Sequence, residues 1–213
     1  MGSEWKTLDG QPLDSVNFKS IKDARNFVQM HQDNPDAVYG LDNYQYVYIG
    51  EEYPDYVNWE MSKMLTITLD IEVECENGFP EVSKAEEPLL CITVKNHSNK
   101  AIIVWGIGEY TNNAVRYIQC EDELDLIKKF LHFWVKTQPD IITGWNIQFF
   151  DIPYLCNRIS RLFGEDEFQK LSPWGIVKGD TVTQYGKTHQ KYNILGVSIL
   201  DYLDLYRKFT YVN

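Results

Sequence analysis

Apolar and polar positions alternate along MLTITLDIEV (64–73), which predicts a strand with one buried face. PLLCITV (88–94) and AIIVWGI (101–107) are apolar runs of strand length. The polar stretch KNHSNK joins them, so the pair predicts a β-hairpin. The period then becomes helical. In EDELDLIKKFLHFWVKTQ (121–138), Leu124, Ile127, Leu131 and Trp134 form an apolar stripe, with acids early and lysines later, as the helix dipole favours. DIITGW (140–145) predicts a short buried strand. DIPYLCNRISRLFG (151–164) predicts a helix with Pro153 in its first turn and Gly164 at its end. GIVKGDTVTQYGKTHQKYNI (175–194) reads as a long polar hairpin turning at Tyr185-Gly186, and VSILDYLDLYRKF (197–209) as a strand running into a helix.

The first 60 residues have another texture. SIKDARNFVQMHQ (20–32) predicts a helix with Ser20 as N-cap. DNYQYVYIG (42–50) alternates aromatic and β-branched residues and predicts a strand, ended by EEYPDY. We therefore expect a small α+β appendage over 1–62, followed by an α/β domain with a mixed sheet over 63–213. The ribonuclease-H-like fold is one arrangement with this element order. No repeat or low-complexity tract interrupts it. No run approaches the ~18 apolar residues of a membrane span, and the N-terminus lacks a signal pattern, so the expectation is a cytoplasmic protein without a membrane partner.

With 44 % hydrophobic residues, the chain can build a sizeable core. Its net charge of −11 argues against a broad basic surface for nucleic acid. The charge is uneven: residues 1–151 hold 12 Lys and Arg against 25 Asp and Glu, and residues 152–213 hold 8 against 6. An acidic enzyme acting on phosphates needs cations as intermediaries. Cys75, Cys91, Cys120 and Cys156 are widely spaced, and the four histidines do not cluster with them, which predicts reduced thiols and no zinc site.

Within the first strand of the α/β domain, Asp70 and Glu72 fall on one face, with Cα atoms roughly 6.5–7 Å apart. Two carboxylates so close resist joint ionisation unless a cation sits between them, and Mg²⁺ or Mn²⁺ suits oxygen ligands. The ordinary alternative is a pair of solvated acids at a strand end. TGWNIQFFDIPYL (143–155) adds Asn146 and Asp151 just past a buried strand, where α/β proteins place their chemistry. Alone, Asp151 reads as a helix cap and Asn146 as a turn residue. With Asp70 and Glu72 they read as a third metal ligand and a polar helper.

LDIEV…GFPE followed by TGWNIQFFDIPYL resembles the first and second exonuclease motifs of family B DNA polymerases, most closely those of T-even-like bacteriophages. LSPWG (171–175), the polar hairpin and LGVSILDYLDLYRKF (195–209) also look like that family, and FKSIKDARNFV does so more loosely. The resemblance implies a ribonuclease-H-like 3′-5′ exonuclease fold that removes mismatched 3′-terminal nucleotides with two Mg²⁺ or Mn²⁺ ions. It implies Asp70, Glu72 and Asp151 as catalytic metal ligands, with Asp70 bridging both ions and Asn146 supporting the site. Phe79 is the aromatic expected to stack on an unpaired base, and Phe150 the residue before the third ligand. Core packing is the ordinary alternative for both rings. The hairpin at 175–194 is similar to the family's strand-separating hairpin, unless it is a plain surface hairpin. The implied partners are a single-stranded DNA 3′ end and the remainder of the polymerase.

The family has a third motif, a Tyr three residues before an Asp, downstream of a segment like LDYLDLYRKF; the sequence reaches Asn213 before it. On that basis an incomplete two-metal site with weak metal affinity is expected, and Asp201 and Asp204 are assigned structural roles. Two other readings stay open: a catalytically incomplete DNA-binding fragment that assembles with the rest of a polymerase, and an unrelated ribonuclease-H-like nuclease acting on RNA or mixed duplexes.

Overall fold

The computed structural model describes residues 5–34, 36–40, 44–56, 58–76, 78–184 and 186–210. The chain divides into two units, residues 1–59 and 60–213. The first unit contains strands β1 (Trp5–Lys6) and β2 (Pro12–Leu13), paired antiparallel, and helices α1 (Ile21–Met30) and α2 (Tyr44–Glu52). Ser20 caps α1 as expected, its hydroxyl accepting from the Asp23 N–H at 3.1 Å.

The strand expected over 42–50 is instead α2, with residues 42 and 43 outside the described set. A short apolar run does not by itself separate strand from helix. Among the described residues this unit offers only two two-residue strands, already paired to each other. Val47, Tyr48 and Glu51, one helical turn of positions, face the same groove as Ile21, Ala24 and Val28 of α1. Pro54, just beyond, is incompatible with continuing the helix.

The second unit runs β3 (Thr66–Val73), β4 (Leu89–Asn96), β5 (Ile102–Ile107), β6 (Arg116–Cys120), α3 (Glu123–Thr137), β7 (Ile141–Gly144), α4 (Asp151–Phe163), α5 (Glu165–Phe168), β8 (Val177–Gln184), β9 (Lys187–Ile194), β10 (Ser198–Asp201) and α6 (Tyr202–Thr210). Six strands form one mixed sheet in the order β10-β7-β3-β4-β5-β6. β3, β4 and β5 are successively antiparallel, while β7 lies parallel to both β3 and β10. This is the ribonuclease-H-like arrangement, extended by β6, which pairs parallel to β5 at the edge. Sequence patterning passes over β6, because RYIQC is a short edge strand behind a polar loop.

The buried face of β3, with Ile67, Leu69 and Ile71, meets Leu126, Ile127, Phe130, Leu131 and Trp134 of α3 and Ile152, Leu155 and Ile159 of α4 in one core. Leu124 is no part of the α3 stripe: it is 40 % exposed, at the margin of the buried arc, and Leu126 and Phe130 belong in its place. Asp122 caps α3, accepting from the Asp125 N–H at 2.8 Å. β8 and β9 pair outside the main sheet, and Gly186, with φ +74°, supplies the left-handed turn position next to Tyr185, which lies outside the described residues.

Candidate active site

Strand alternation sets the site. Leu69 and Ile71 are 1 % and 5 % exposed, whereas Asp70 and Glu72 open onto the opposite face. Across the ladder, Asp70 faces Thr93 and Glu72 faces Cys91 of β4, and the register shifts at a bulge between Glu72 and Val73. Bulges re-aim side chains, and this one sits immediately after the second acid.

β7 runs parallel to β3 and ends at Gly144. A Cβ there would come within 2.8 Å of the Leu69 carbonyl oxygen, so only glycine lets the chain pass this close to β3. The connection to α4 then turns sharply at Asn146, whose φ of +58° lies in the left-handed region that Asn tolerates. Asp201, at the end of β10, pins this loop. Its Oδ1 accepts from the N–H groups of Asn146 (3.0 Å) and Leu203 (2.9 Å), and its Oδ2 from Gln148 N–H (3.0 Å). Asp201 is 6 % exposed, and these contacts define its structural role. Asp201→Ala should leave three N–H groups without their acceptor, at ~1–3 kcal/mol for each one left unsatisfied. Faster hydrogen exchange confined to residues 146–148 and 203 is the expected observation.

Asp151 is not the helix cap. Phe150 occupies the N-cap position and Asp151 is the first helical residue. Its carboxylate instead reaches across to β3, where Oδ1 accepts from Ile71 N–H at 3.1 Å, between the two acids of that strand. Asp151 is 4 % exposed. Burial pushes its carboxyl up to about 7, the Ile71 N–H opposes this, and the charges of Asp70 and Asp201 add to the rise. Burial also raises the Asp70 carboxyl above its usual range. No ion pair among the described residues reaches Asp70, Glu72 or Asp151.

The structure therefore brings Asp70 and Asp151 within electrostatic reach and keeps Glu72 on Asp70's face. Among the described residues, however, no three of His, Cys, Asp or Glu converge closely enough to hold one ion as they stand. The donor chemistry still fits a hard cation: the groups are carboxylate oxygens, one buried without a cationic partner beside another that is partly desolvated. A pH effect follows for the metal-free protein. Between the ordinary carboxylate value near 3.8 and about 7, folded Asp151 holds a proton that the unfolded chain has released. Stability should thus fall as pH rises through that window and level off above it. Denaturant titrations in chelator should show that slope, flattened in Asp151→Asn.

An aromatic step borders the acids. Phe79 is 85 % exposed, and its ring lies 5.2 Å from that of half-buried Phe150, which stacks in turn on Tyr154 at 5.8 Å. The loop carrying Phe79 is braced from α4. Arg158 donates to the carbonyls of Ala85 (3.0 Å) and Glu86 (2.7 Å) and forms a two-pronged pair with Glu123 at 2.7 and 2.6 Å. Asn157 donates to Val82 O at 2.8 Å and joins Gln190 and Tyr192 of β9 in one network. Phe149 meets His189 of the same hairpin, ring centroids 5.0 Å apart. Sequence reading missed Arg158; its one signal is a second charge on the mostly apolar buried face of α4, seven residues after Asp151.

Residues 28–213 match the family described as DNA polymerase family B, exonuclease domain. The chain is similar to the DNA-directed DNA polymerase of Escherichia phage RB69, 28 % identical over 96 % of the chain and 26 % of that protein. It is 29 % identical to that of Enterobacteria phage T4 over 99 % of the chain and 26 % of that protein. It also resembles the DNA polymerase delta catalytic subunit of Dictyostelium discoideum, 34 % identical over 45 % of the chain and 9 % of that protein. The chain thus spans about a quarter of the length of its phage relatives.

Proposed function

The chain belongs to the exonuclease-domain family of the family B DNA polymerases, and we propose that it is a proofreading 3′-5′ exonuclease module acting on single-stranded DNA ends. The carrying observation is the Asp151 carboxylate seated on Ile71 N–H, between Asp70 and Glu72. Exonuclease domains of this family are metal-dependent. In this reading Asp70, Glu72 and Asp151 hold Mg²⁺ or Mn²⁺, which when bound supplies an activated water and stabilises the leaving 3′-oxygen. The Ile71 N–H and the start of α4 fix the Asp151 carboxylate. Burial keeps bulk water from it. Asp201 holds the backbone of the loop that carries Asn146.

Phe79, exposed and backed by Phe150, stacks on an unpaired terminal base without regard to its identity, as proofreading requires. Residues 1–62 then belong to the polymerase's N-terminal domain, the β8–β9 hairpin helps keep strands apart, and the remainder of the polymerase is the protein partner. Among the described residues no helix is long and apolar enough to cross a membrane, and for a phage-encoded polymerase the place of action is the host cytoplasm. A second reading has one observation in its favour: because three acids do not converge, the module guides single-stranded DNA without cutting it.

A 5′-labelled single strand separates the two. The exonuclease reading predicts a ladder shortening from the 3′ end in Mg²⁺ or Mn²⁺ and none in chelator. Release of the 5′ label, or cutting within the strand, would sink it, and binding without shortening would favour the guiding role. Phe79→Ala should weaken single-strand binding by ~1–3 kcal/mol under either reading, measured by fluorescence anisotropy in chelator.

A further inference from the structure

A second surface stands apart from the acids. Leu69 and Ile71 share their sheet face with Ile92 and Val94 and, through the ladder, with Ile103 and Trp105 of β5 and Arg116 and Ile118 of β6. Asp70 and Glu72 occupy the other face. On this far side α3 does not close completely over the β5–β6 edge, leaving a groove of about 480 Å³. Its floor is apolar, built from Ile103, Trp105, Ile118 and Phe133.

Its rim is cationic. Four of the 12 Lys and Arg in residues 1–151 line this groove, in a region that carries 25 acids. Lys129 is occupied, bonded to Asp125 at 2.6 Å and to Gln119 O at 3.0 Å. Arg116, Lys128 and Lys136 enter no ion pair among the described residues, and Lys128 only leans over the Phe163 ring at 5.8 Å. Lys128, His132 and Lys136 follow one another at four-residue intervals along α3, so their stems repeat about every 6 Å. An extended peptide presents same-side residues at nearly that interval, roughly 6.5–7 Å.

We propose that this groove docks an extended acidic segment of a partner protein, in which carboxylates alternate with aliphatic anchors. The carboxylates pair with Arg116, Lys128 and Lys136 while the anchors cover Ile103, Ile118 and Phe133. A nucleic acid strand fits the floor less well. Trp105 is 1 % exposed and already packed against Phe130 and Phe133, with ring centroids at 5.6 and 4.9 Å, so no bare indole face remains for a base to stack on. A short peptide with a few carboxylates also meets less repulsion from the surrounding acidic surface than a polyanion does. Nothing here depends on the exonuclease reading, and a chain without nuclease activity would bind the peptide equally.

The test is fluorescence anisotropy of a labelled peptide of alternating Asp and Leu against the whole chain. Saturable binding is expected, weakened about tenfold or more by Lys128→Glu with Lys136→Glu and by added salt. Phe79→Ala should leave it unchanged. Both reversals are on exposed positions, and an unchanged circular dichroism spectrum confirms that the variant is folded. Absence of saturable binding, or binding indifferent to the reversals, overturns the proposal. So does an oligothymidylate that displaces the peptide and loses its own affinity in the same variant, since the groove would then be a nucleic-acid path.

Discussion

Asp151→Asn should lower metal-dependent trimming of a single-stranded 3′ end by more than the ~10–100-fold that loss of a mere orienting partner costs. The substitution keeps size and an acceptor oxygen for the Ile71 N–H, so the contact at 3.1 Å that ties α4 to β3 is preserved. What disappears is the charge. In the metal-free protein that charge is unfavourable, because burial and the neighbouring Asp70 and Asp201 raise the carboxyl to about 7. At pH above that value the variant should therefore be at least as stable as the parent in chelator. Lost trimming with undiminished stability is a combination that a purely structural role for Asp151 does not produce. Full trimming by a stable Asp151→Asn variant would remove Asp151 from the catalytic set.

The largest effect on stability is expected at Arg158. It is 6 % exposed, and it joins α4, the start of α3 and the loop carrying Phe79 through four hydrogen bonds. Glu123 depends on it, since that side chain is 13 % exposed and its other contact is the Leu89 N–H at 2.7 Å. Arg158→Met keeps much of the aliphatic packing but leaves a buried carboxylate without its cation and two carbonyls without a donor. A loss of about 3–5 kcal/mol is expected in denaturant titrations. Adding Glu123→Gln should recover part of it, because the stranded charge is gone while an oxygen remains for Leu89 N–H. A single variant as stable as the parent would show that the brace carries no load. The loop it holds contains Phe79, so the single variant should also weaken single-strand binding.

Much of the sheet and part of the site can be read along the chain, and the reasons are local. β3 is legible because it buries one face only, so its apolar residues alternate and its two acids stand out as a pair. α4 announces itself through Pro153 and Gly164. α2 does not, because a short aromatic-rich run satisfies either period until its neighbours are known. β6 is hidden by brevity and by its place at the sheet edge. Within the candidate site the acids stand out along the chain, but the contacts that fix them do not. Asp151 meets Ile71 across 80 positions, and Asp201 reaches Asn146 across 55. Arg158 shows the same limit: its partners lie 35 and more positions away, so its own helix records only an out-of-place charge.

The chemistry rests on one claim, that Asp70, Glu72 and Asp151 jointly hold a divalent cation. Titration of Mn²⁺ into the chain, followed by the electron paramagnetic resonance of the free ion, measures this without reference to DNA or turnover. Saturable binding near neutral pH is predicted, sharply weakened in each of Asp70→Ala, Glu72→Gln and Asp151→Asn. Binding of equal strength and stoichiometry in the parent and all three variants would contradict the account.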